Sequence, residues 1–204
     1  MNHNKKRLYL LMSAILTGGI VYATPATSTI EYRQELIDAK GVLETSDVNA
    51  FYIVDTPSFA YNGSVKIKHS IQDYERFGLE SLVSINSDIY LNQLDYTLDG
   101  NNTKTENYIA AISVYTDSFE PYSFNGSRTT IGENSNVNAV GNASKWITGL
   151  EVLGDDDLYD RGEEFLIEAN IGDNSTINVT NLGAGDAEGI ESQISLANIK
   201  LGEN

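Results

Sequence analysis

Cysteine is absent from this chain of 204 residues. Its absence excludes disulfides, thiolate metal sites and cysteine nucleophiles. The compartment in which the protein works therefore has to be inferred from the N-terminus rather than from redox chemistry. An exported chain of this kind must be held together by its apolar core, by metal ions or by assembly.

Basic residues and histidines are also scarce. The chain has 13 Lys and Arg against 29 Asp and Glu, with a formal net charge of −16. Nucleic-acid binding needs clustered basic residues, so a nucleic-acid partner is excluded. His3 lies near the N-terminus, and His69 stands among Lys66 and Lys68 on what we interpret as the solvated side of a strand. No nucleophile elbow, phosphate loop or His-Glu-x-x-His motif occurs, and we predict that the protein is not an enzyme.

Only one long apolar run is present, and it lies at the N-terminus. Lys5-Lys6-Arg7 precedes Leu8–Val21, which is followed by the small-residue site Val21-Tyr22-Ala23. The run of 14 residues is shorter than the ~20 needed to cross a bilayer. Residues 1–23 are therefore a cleaved signal peptide or a retained apolar assembly helix of the pilin type. Both alternatives export the bulk of the chain to the cell surface or beyond, with membrane contact only through this segment.

A short helix is predicted after this segment. Ser28-Thr-Ile-Glu31 has capping-box spacing, and apolar residues from Tyr32 to Leu43 recur on one helical face. The spacing predicts a helix over 29–40 within a linker of residues 24–47. If the signal is cleaved, residues 24–48 could instead donate a strand to a neighbouring subunit.

From residue 48 to 204 the pattern is that of short strands. Val65 and Ile67 alternate with lysines, and Phe165, Ile167, Ala169 and Ile171 share one face of another strand. Asn62-Gly63 predicts a hairpin turn. Residues 117–145 are rich in Ser, Asn, Gly and Thr and are expected to form a long surface excursion. With no evident repeat of 20–50 residues, the pattern predicts a mainly β fold, an antiparallel β-sandwich of immunoglobulin-like or jelly-roll-like type.

An acidic turn is the candidate metal site. Asp155, Asp157, Asp160 and Glu163 place hard oxygen ligands within nine residues, which suits Ca²⁺. Tyr159 stands where an EF-hand has its next ligand, so a solvated acidic turn is the alternative. Apart from this possible Ca²⁺, no cofactor is predicted.

The chain also carries six Asn-x-Ser/Thr sequons, in or beside predicted turns where a glycan fits. An Asn-rich chain also produces sequons by chance. The candidate glycosylation sites are Asn62, Asn101, Asn125, Asn142, Asn174 and Asn178.

The segment Asp157–Glu168 resembles a stretch near the C-terminus of archaeal flagellins (archaellins) and type IV pilin-like proteins, where a Gly-Glu turn opens one of the last strands. Asn174–Thr180 and Gly183-Ala-Gly185 look like that family's closing hairpin. The resemblance implies an apolar N-terminal helix in a filament core, a glycosylated β-sandwich outside it and no catalysis. Against it, no Gly or Ala follows Lys5-Lys6-Arg7 to form the family's processing site.

The sequence thus predicts a non-enzymatic extracellular structural protein, a subunit or accessory of an archaellum- or pilus-like filament. Its expected partners are further copies of itself or other surface proteins. The alternative is a secreted monomeric β-sandwich that binds calcium or carbohydrate. The twelve tyrosines fit either strand packing or a sugar-binding platform.

Overall fold

The computed structural model describes residues 38–45, 51–54, 56, 58–71, 75–116, 126–154, 166–193 and 197–203. These ranges contain fourteen strands, and every strand pairing among them is parallel. The chain is therefore mainly β, but the predicted antiparallel β-sandwich is wrong. Alternating apolar residues show which side chains face a core, and they do not reveal whether neighbouring strands run parallel or antiparallel.

The chain winds as a three-sided parallel β-helix, in which each turn, called a rung below, adds one strand to each of three faces. The first face contains β1 (Val42–Thr45), β4 (Val65–Ser70), the start of β7 (Leu94–Thr116), β9 (Asn136–Ala143) and β12 (Thr176–Asn181). The second contains β2 (Phe51–Val54), β5 (Glu75–Ile85), the rest of β7, β10 (Trp146–Gly154) and β13 (Asp186–Ser192). The third contains β3 (Phe59–Tyr61), β6 (Asp88–Leu91), β8 (Gly126–Ile131), β11 (Leu166–Ile171) and β14 (Asn198–Leu201).

One strand turns the corner between two faces. β7 is 23 residues long. It pairs with the first face through residues 94–100 and again at Thr105, and with the second face through residues 104–116. At the corner, Thr103 Oγ1 donates a hydrogen bond of 2.7 Å to the Gly100 carbonyl. This bond stabilises the bend. Because β7 belongs to both faces, the first two faces form one continuous sheet.

The core is a stack of apolar side chains that repeats from rung to rung. In β4, Val65 and Ile67 are buried while Lys66 and Lys68 are exposed, as the sequence predicts. Parallel register aligns these inward positions into columns, one of which runs Leu43, Ile67, Tyr96, Val137, Ile177. A fully buried isoleucine contributes about 1.5–3 kcal/mol to such a core.

A repeat does underlie the rungs, contrary to the sequence-based expectation. Gly132-Glu-Asn-Ser135 and Gly172-Asp-Asn-Ser175 form equivalent corner turns in successive rungs. Asn134 and Asn174 both have positive φ, and the Asn134 amide donates to the Asp173 carbonyl at 2.8 Å. A Cβ on Gly172 would collide with the Glu133 backbone, which explains why the stacked turn requires glycine there.

Two further expectations are corrected by this topology. Asn62-Gly63 joins β3 to β4, which lie on different faces and are not paired, so the turn is not a hairpin. The region 117–145, expected to be a surface excursion, contains β8, β9 and the first residues of the connection from β9 to β10. Its outward asparagines form a ladder, in which Asn178 Nδ2 donates to Asn138 Oδ1 at 3.0 Å. That polar outer surface makes a core strand look like a loop in the sequence.

The prediction for β11 is confirmed where the structure describes it. Ile167 and Ala169 are buried in the core and Ile171 packs against it. The expected helix over 29–40 and the N-terminal segment lie almost wholly outside the described residues. Within the described ranges, the chain has no helix of the length and apolarity required to cross a membrane.

Candidate functional site

The predicted calcium ligands Asp155, Asp157, Asp160 and Glu163 fall outside the described residues. They belong to the connection between β10 and β11, which joins the second face to the third. Among the residues that the structure describes, no group of three or more His, Asp or Glu is placed to hold a metal ion. Calcium binding by the acidic turn therefore stays a prediction.

The sequons are distributed over turns and strands. Asn62, Asn101 and Asn174 are exposed, with Asn62 and Asn174 in corner turns. Asn178 is exposed on β12, and Asn142 is half-buried on β9, so these two do not lie in turns. Asn125 lies outside the described ranges. Glycosylation stays a prediction for all six.

His69 is fully buried, with 0% of its surface exposed, so its interpretation as a solvated residue is wrong. It shares the inward phase of Val65 and Ile67 rather than the outward phase of the lysines. Inside the solenoid, His69 Nδ1 contacts Ser81 Oγ, which in turn contacts the Tyr96 hydroxyl. The three polar side chains therefore contact one another inside the core, as buried polar groups usually do.

Four glutamates, which we call the second-face glutamate cluster, are brought together on the outer side of the second face: Glu80, Glu151, Glu188 and Glu191. Glu151 accepts hydrogen bonds from Ser113 Oγ and Gln193 Nε2, both at 3.4 Å. Burial raises the pKa of the Glu151 carboxyl well above its ordinary value of 4.5, and Glu80 and Glu191 raise it further. The Glu151 carboxyl therefore stays neutral at pH values somewhat above 4.5, at which an ordinary glutamate is ionised.

Sequence reasoning missed this cluster because its members are far apart in the chain. The one available signal is Glu151 itself, a carboxylate inside the otherwise apolar strand Leu150–Leu153. Glu151 is only 2% exposed.

An aromatic pair lies at the corner between the first and second faces. The rings of Tyr108 and Trp146 stack with centroids 5.7 Å apart and planes 15° apart. Lys145 Nζ lies 5.8 Å from the Trp146 ring centroid, at cation–π distance. Trp146 is half-exposed. Its Nε1 atom is buried, without a hydrogen-bond partner among the described residues.

The last rung among the described residues, β12 to β14, is called the terminal rung below. Within the described residues its strands pair on one side only, with β9, β10 and β11. Its inward side chains Ile177, Val179, Ile190 and Ile199 are half-buried, whereas their neighbours one rung earlier are fully buried: Val137, Ala139, Leu150 and Ala169. Leu201 is 62% exposed. Unpaired strand edges beside exposed apolar residues are a surface for pairing with another β-structure.

Comparisons of this chain with protein-family models, with curated proteins and with solved structures found no match. A functional proposal therefore rests on the geometry of the chain itself.

Proposed function

We propose that this protein is a non-enzymatic extracellular structural protein, a subunit or accessory of an archaellum- or pilus-like cell-surface filament. The β-helix is its rigid body. The terminal rung carries the proposal. Within the described residues its strands pair on one side only, and its half-buried isoleucines and valine form a surface on which further β-structure can be added. The N-terminal segment of the sequence supports export, as either a signal peptide or an assembly helix.

The construction of the solenoid supports a structural role. Each rung contacts mainly its neighbours, so stability grows with every rung that is stacked on the last. Side-chain ladders strengthen the stacking, as where Thr176 Oγ1 donates to Asn136 Oδ1 at 2.7 Å. The buried state of Glu151 favours a structural over a catalytic use of the second-face glutamate cluster.

Concentration-dependent assembly tests the proposal. We expect sedimentation velocity and negative-stain microscopy of the purified full chain to show elongated oligomers whose average mass rises with concentration. Val179→Asp places a charge on the inward side of the terminal rung and should abolish growth. Asn138→Asp, at the outward position one rung earlier on β9, is the control and should leave growth unchanged.

Circular dichroism and thermal melting must first establish that both variants fold. Monomers of the unaltered protein at every concentration, up to the limit of solubility, would contradict the proposed function. Growth that Val179→Asp leaves intact would show that the terminal rung is not the assembly surface.

A secreted monomer that binds carbohydrate is the second candidate, favoured by the half-exposed Trp146 ring on Tyr108. A partly exposed aromatic ring can stack on the apolar faces of a ligand. Calorimetric titration with oligosaccharides tests it, using Trp146→Ala against Lys66→Ala, at an exposed lysine on β4. Equal binding by both variants, or no binding by the unaltered protein, would remove this candidate.

A further inference from the structure

We propose that the partner of the terminal rung is a second copy of this chain, docked head to tail so that its first rung, β1 to β3, continues the solenoid. The proposal rests on the proposed function and names the interface through which the filament grows. Parallel pairing of β12 with β1 of the next copy would extend the first face by the same hydrogen-bonding pattern that joins its own strands.

The apolar columns of the two ends match. The column that begins at Leu43 in β1 ends at Ile177 in β12, and the column that begins at Phe59 in β3 ends at Ile199 in β14. Stacking the next copy in register would place its Leu43 on Ile177 and its Phe59 on Ile199. All four side chains pack against the core and remain half-buried, so the contact would bury apolar surface at both ends.

The contact is expected on the first and third faces. On the second face of the first rung, Ile53 is already fully buried. Among the side chains whose burial the structure describes, Leu43 on the first face and Phe59 and Tyr61 on the third pack against the core and have surface left to bury.

Charge favours this arrangement over a tail-to-tail pair. β13 carries Asp186, Glu188 and Glu191. A two-fold pair of terminal rungs would bring two such acidic strands to the same interface, where like charges repel. By contrast, β2 and β3 have no charged residue, and Glu44 is the one charge on β1. In register, Glu44 would meet the neutral Asn178 of β12.

A head-to-tail contact joins two different surfaces, and repeating it does not close into a pair. Each added copy presents a new terminal rung. The expected product is an open filament whose axis follows the solenoid axis, with the acidic outer positions of β13 repeated once per copy.

The lack of cysteine allows a direct test by disulfide trapping. Glu44→Cys and Asn178→Cys are prepared as separate full-length proteins, mixed and mildly oxidised. Neighbouring strands lie about 4.8 Å apart, within the ~4.4–6.8 Å Cα separation that a disulfide spans. Head-to-tail docking should give the 44–178 disulfide, identified by mass spectrometry.

The matched control is Asn138→Cys, one rung earlier in the same outward column. Mixed with Glu44→Cys, it should yield at least about tenfold less disulfide, because only docking raises the effective concentration of a thiol pair. Circular dichroism of each variant checks that it folds.

The outcomes separate this inference from the proposed function. Filaments without a 44–178 disulfide above the control would overturn the head-to-tail contact and leave the filament role standing. A dominant 178–178 disulfide would overturn it in favour of a tail-to-tail pair. Monomers alone, with no disulfide above the control, would overturn both.

Discussion

Tyr96 places a hydroxyl group at the centre of the solenoid. The side chain is fully buried beside Ser81 and His69. Burial raises the pKa of the Tyr96 hydroxyl above its ordinary value of 10.0, and the bond with Ser81 opposes part of that rise. In the unfolded chain the same group ionises near its ordinary pKa, so Tyr96 couples folding to alkaline pH.

We predict that the free energy of unfolding falls less steeply with pH above pH 10 in Tyr96→Phe than in the unaltered protein. The neutral hydroxyl contributes full stability below the unfolded pKa, and this contribution falls as pH rises beyond it, by up to ~1.4 kcal/mol per pH unit. Urea unfolding between pH 8 and 11 measures the slope. Tyr90→Phe, at a half-buried hydroxyl bonded to Asn92, is the control and should show the same pH slope as the unaltered protein. Identical slopes for the unaltered protein and Tyr96→Phe would refute the coupling.

Glu151 couples folding to pH over a lower range. Because its pKa is raised in the folded state, its contribution is complete below pH 4.5 and is lost as pH rises through the folded pKa. We predict that Glu151→Gln increases the free energy of unfolding at pH 7–8 by on the order of 1 kcal/mol.

Chemical unfolding at pH 4 and pH 8 checks this prediction, since the gain should appear only at the higher pH. Glu106→Gln, at an exposed glutamate on β7, is the matched control and should change neither value. A Glu151→Gln variant that is destabilised at pH 8 would show that the carboxylate makes favourable contacts there.

At the scale of the strands, the third face is joined by a ladder of alternating charge. Arg128 on β8 donates to Glu168 on β11 at 2.7 Å and to Asp88 on β6 at 3.0 Å. Lys200 on β14 donates to Glu168 at 3.1 Å. The Arg128 bond lowers the pKa of the mostly buried Glu168 carboxyl. Its ionised form therefore contributes stability above pH 4.5, which is lost as pH falls through the folded pKa.

We predict that Arg128→Gln costs about 1–3 kcal/mol at pH 7, because it leaves Glu168 short of a partner in a largely buried position. The cost should shrink as the pH falls through the lowered folded-state pKa of Glu168. Lys66→Gln is the control: Lys66 and Asp95 are 3.9 Å apart with side chains 57% and 51% exposed, and such a pair contributes about 0–1 kcal/mol. Equal costs for both variants at pH 7 would contradict the ladder's role.

The strands themselves could be predicted from the sequence, but their partners could not. The alternation identifies Val65 and Ile67 of β4 and Ile167 and Ala169 of β11 as buried, but the buried His69 of β4 is assigned to the solvated side. Pairing residues such as Asn136 and Thr176 are 40 positions apart, and no short-range pattern encodes that connection or its parallel sense. The paired Gly-Glu-Asn-Ser and Gly-Asp-Asn-Ser turns were the strongest available sign of a repeat.

The candidate surfaces were still harder to predict from the sequence. Glu80, Glu151 and Glu191 become neighbours only through stacking of rungs. The terminal rung is recognised only from the partial exposure of residues such as Ile177 and Ile199, which look like ordinary core positions in the sequence.

For the whole molecule, local stability should vary along the solenoid axis. Each rung is held by its neighbours, and the terminal rung has a described neighbour on one side only. We predict that amides of β12 and β13 exchange hydrogen faster than those of β9 and β10 in dilute solution. Hydrogen exchange read by mass spectrometry should also show β12 slowing at concentrations where copies assemble. Uniform exchange along the axis would contradict this gradient.

The spacing between stacked strands varies widely along a single face. On the first face, Val42 pairs with Lys66, 24 residues on, whereas Asp95 pairs with Asn136, 41 residues on. The strands keep their columns although the connections at the corners differ in length. Corner connections can therefore vary in length without moving a core residue. Related chains would then differ in length at their corners. Their relationship would be recognised from the columns of stacked core residues rather than from residue spacing along the sequence.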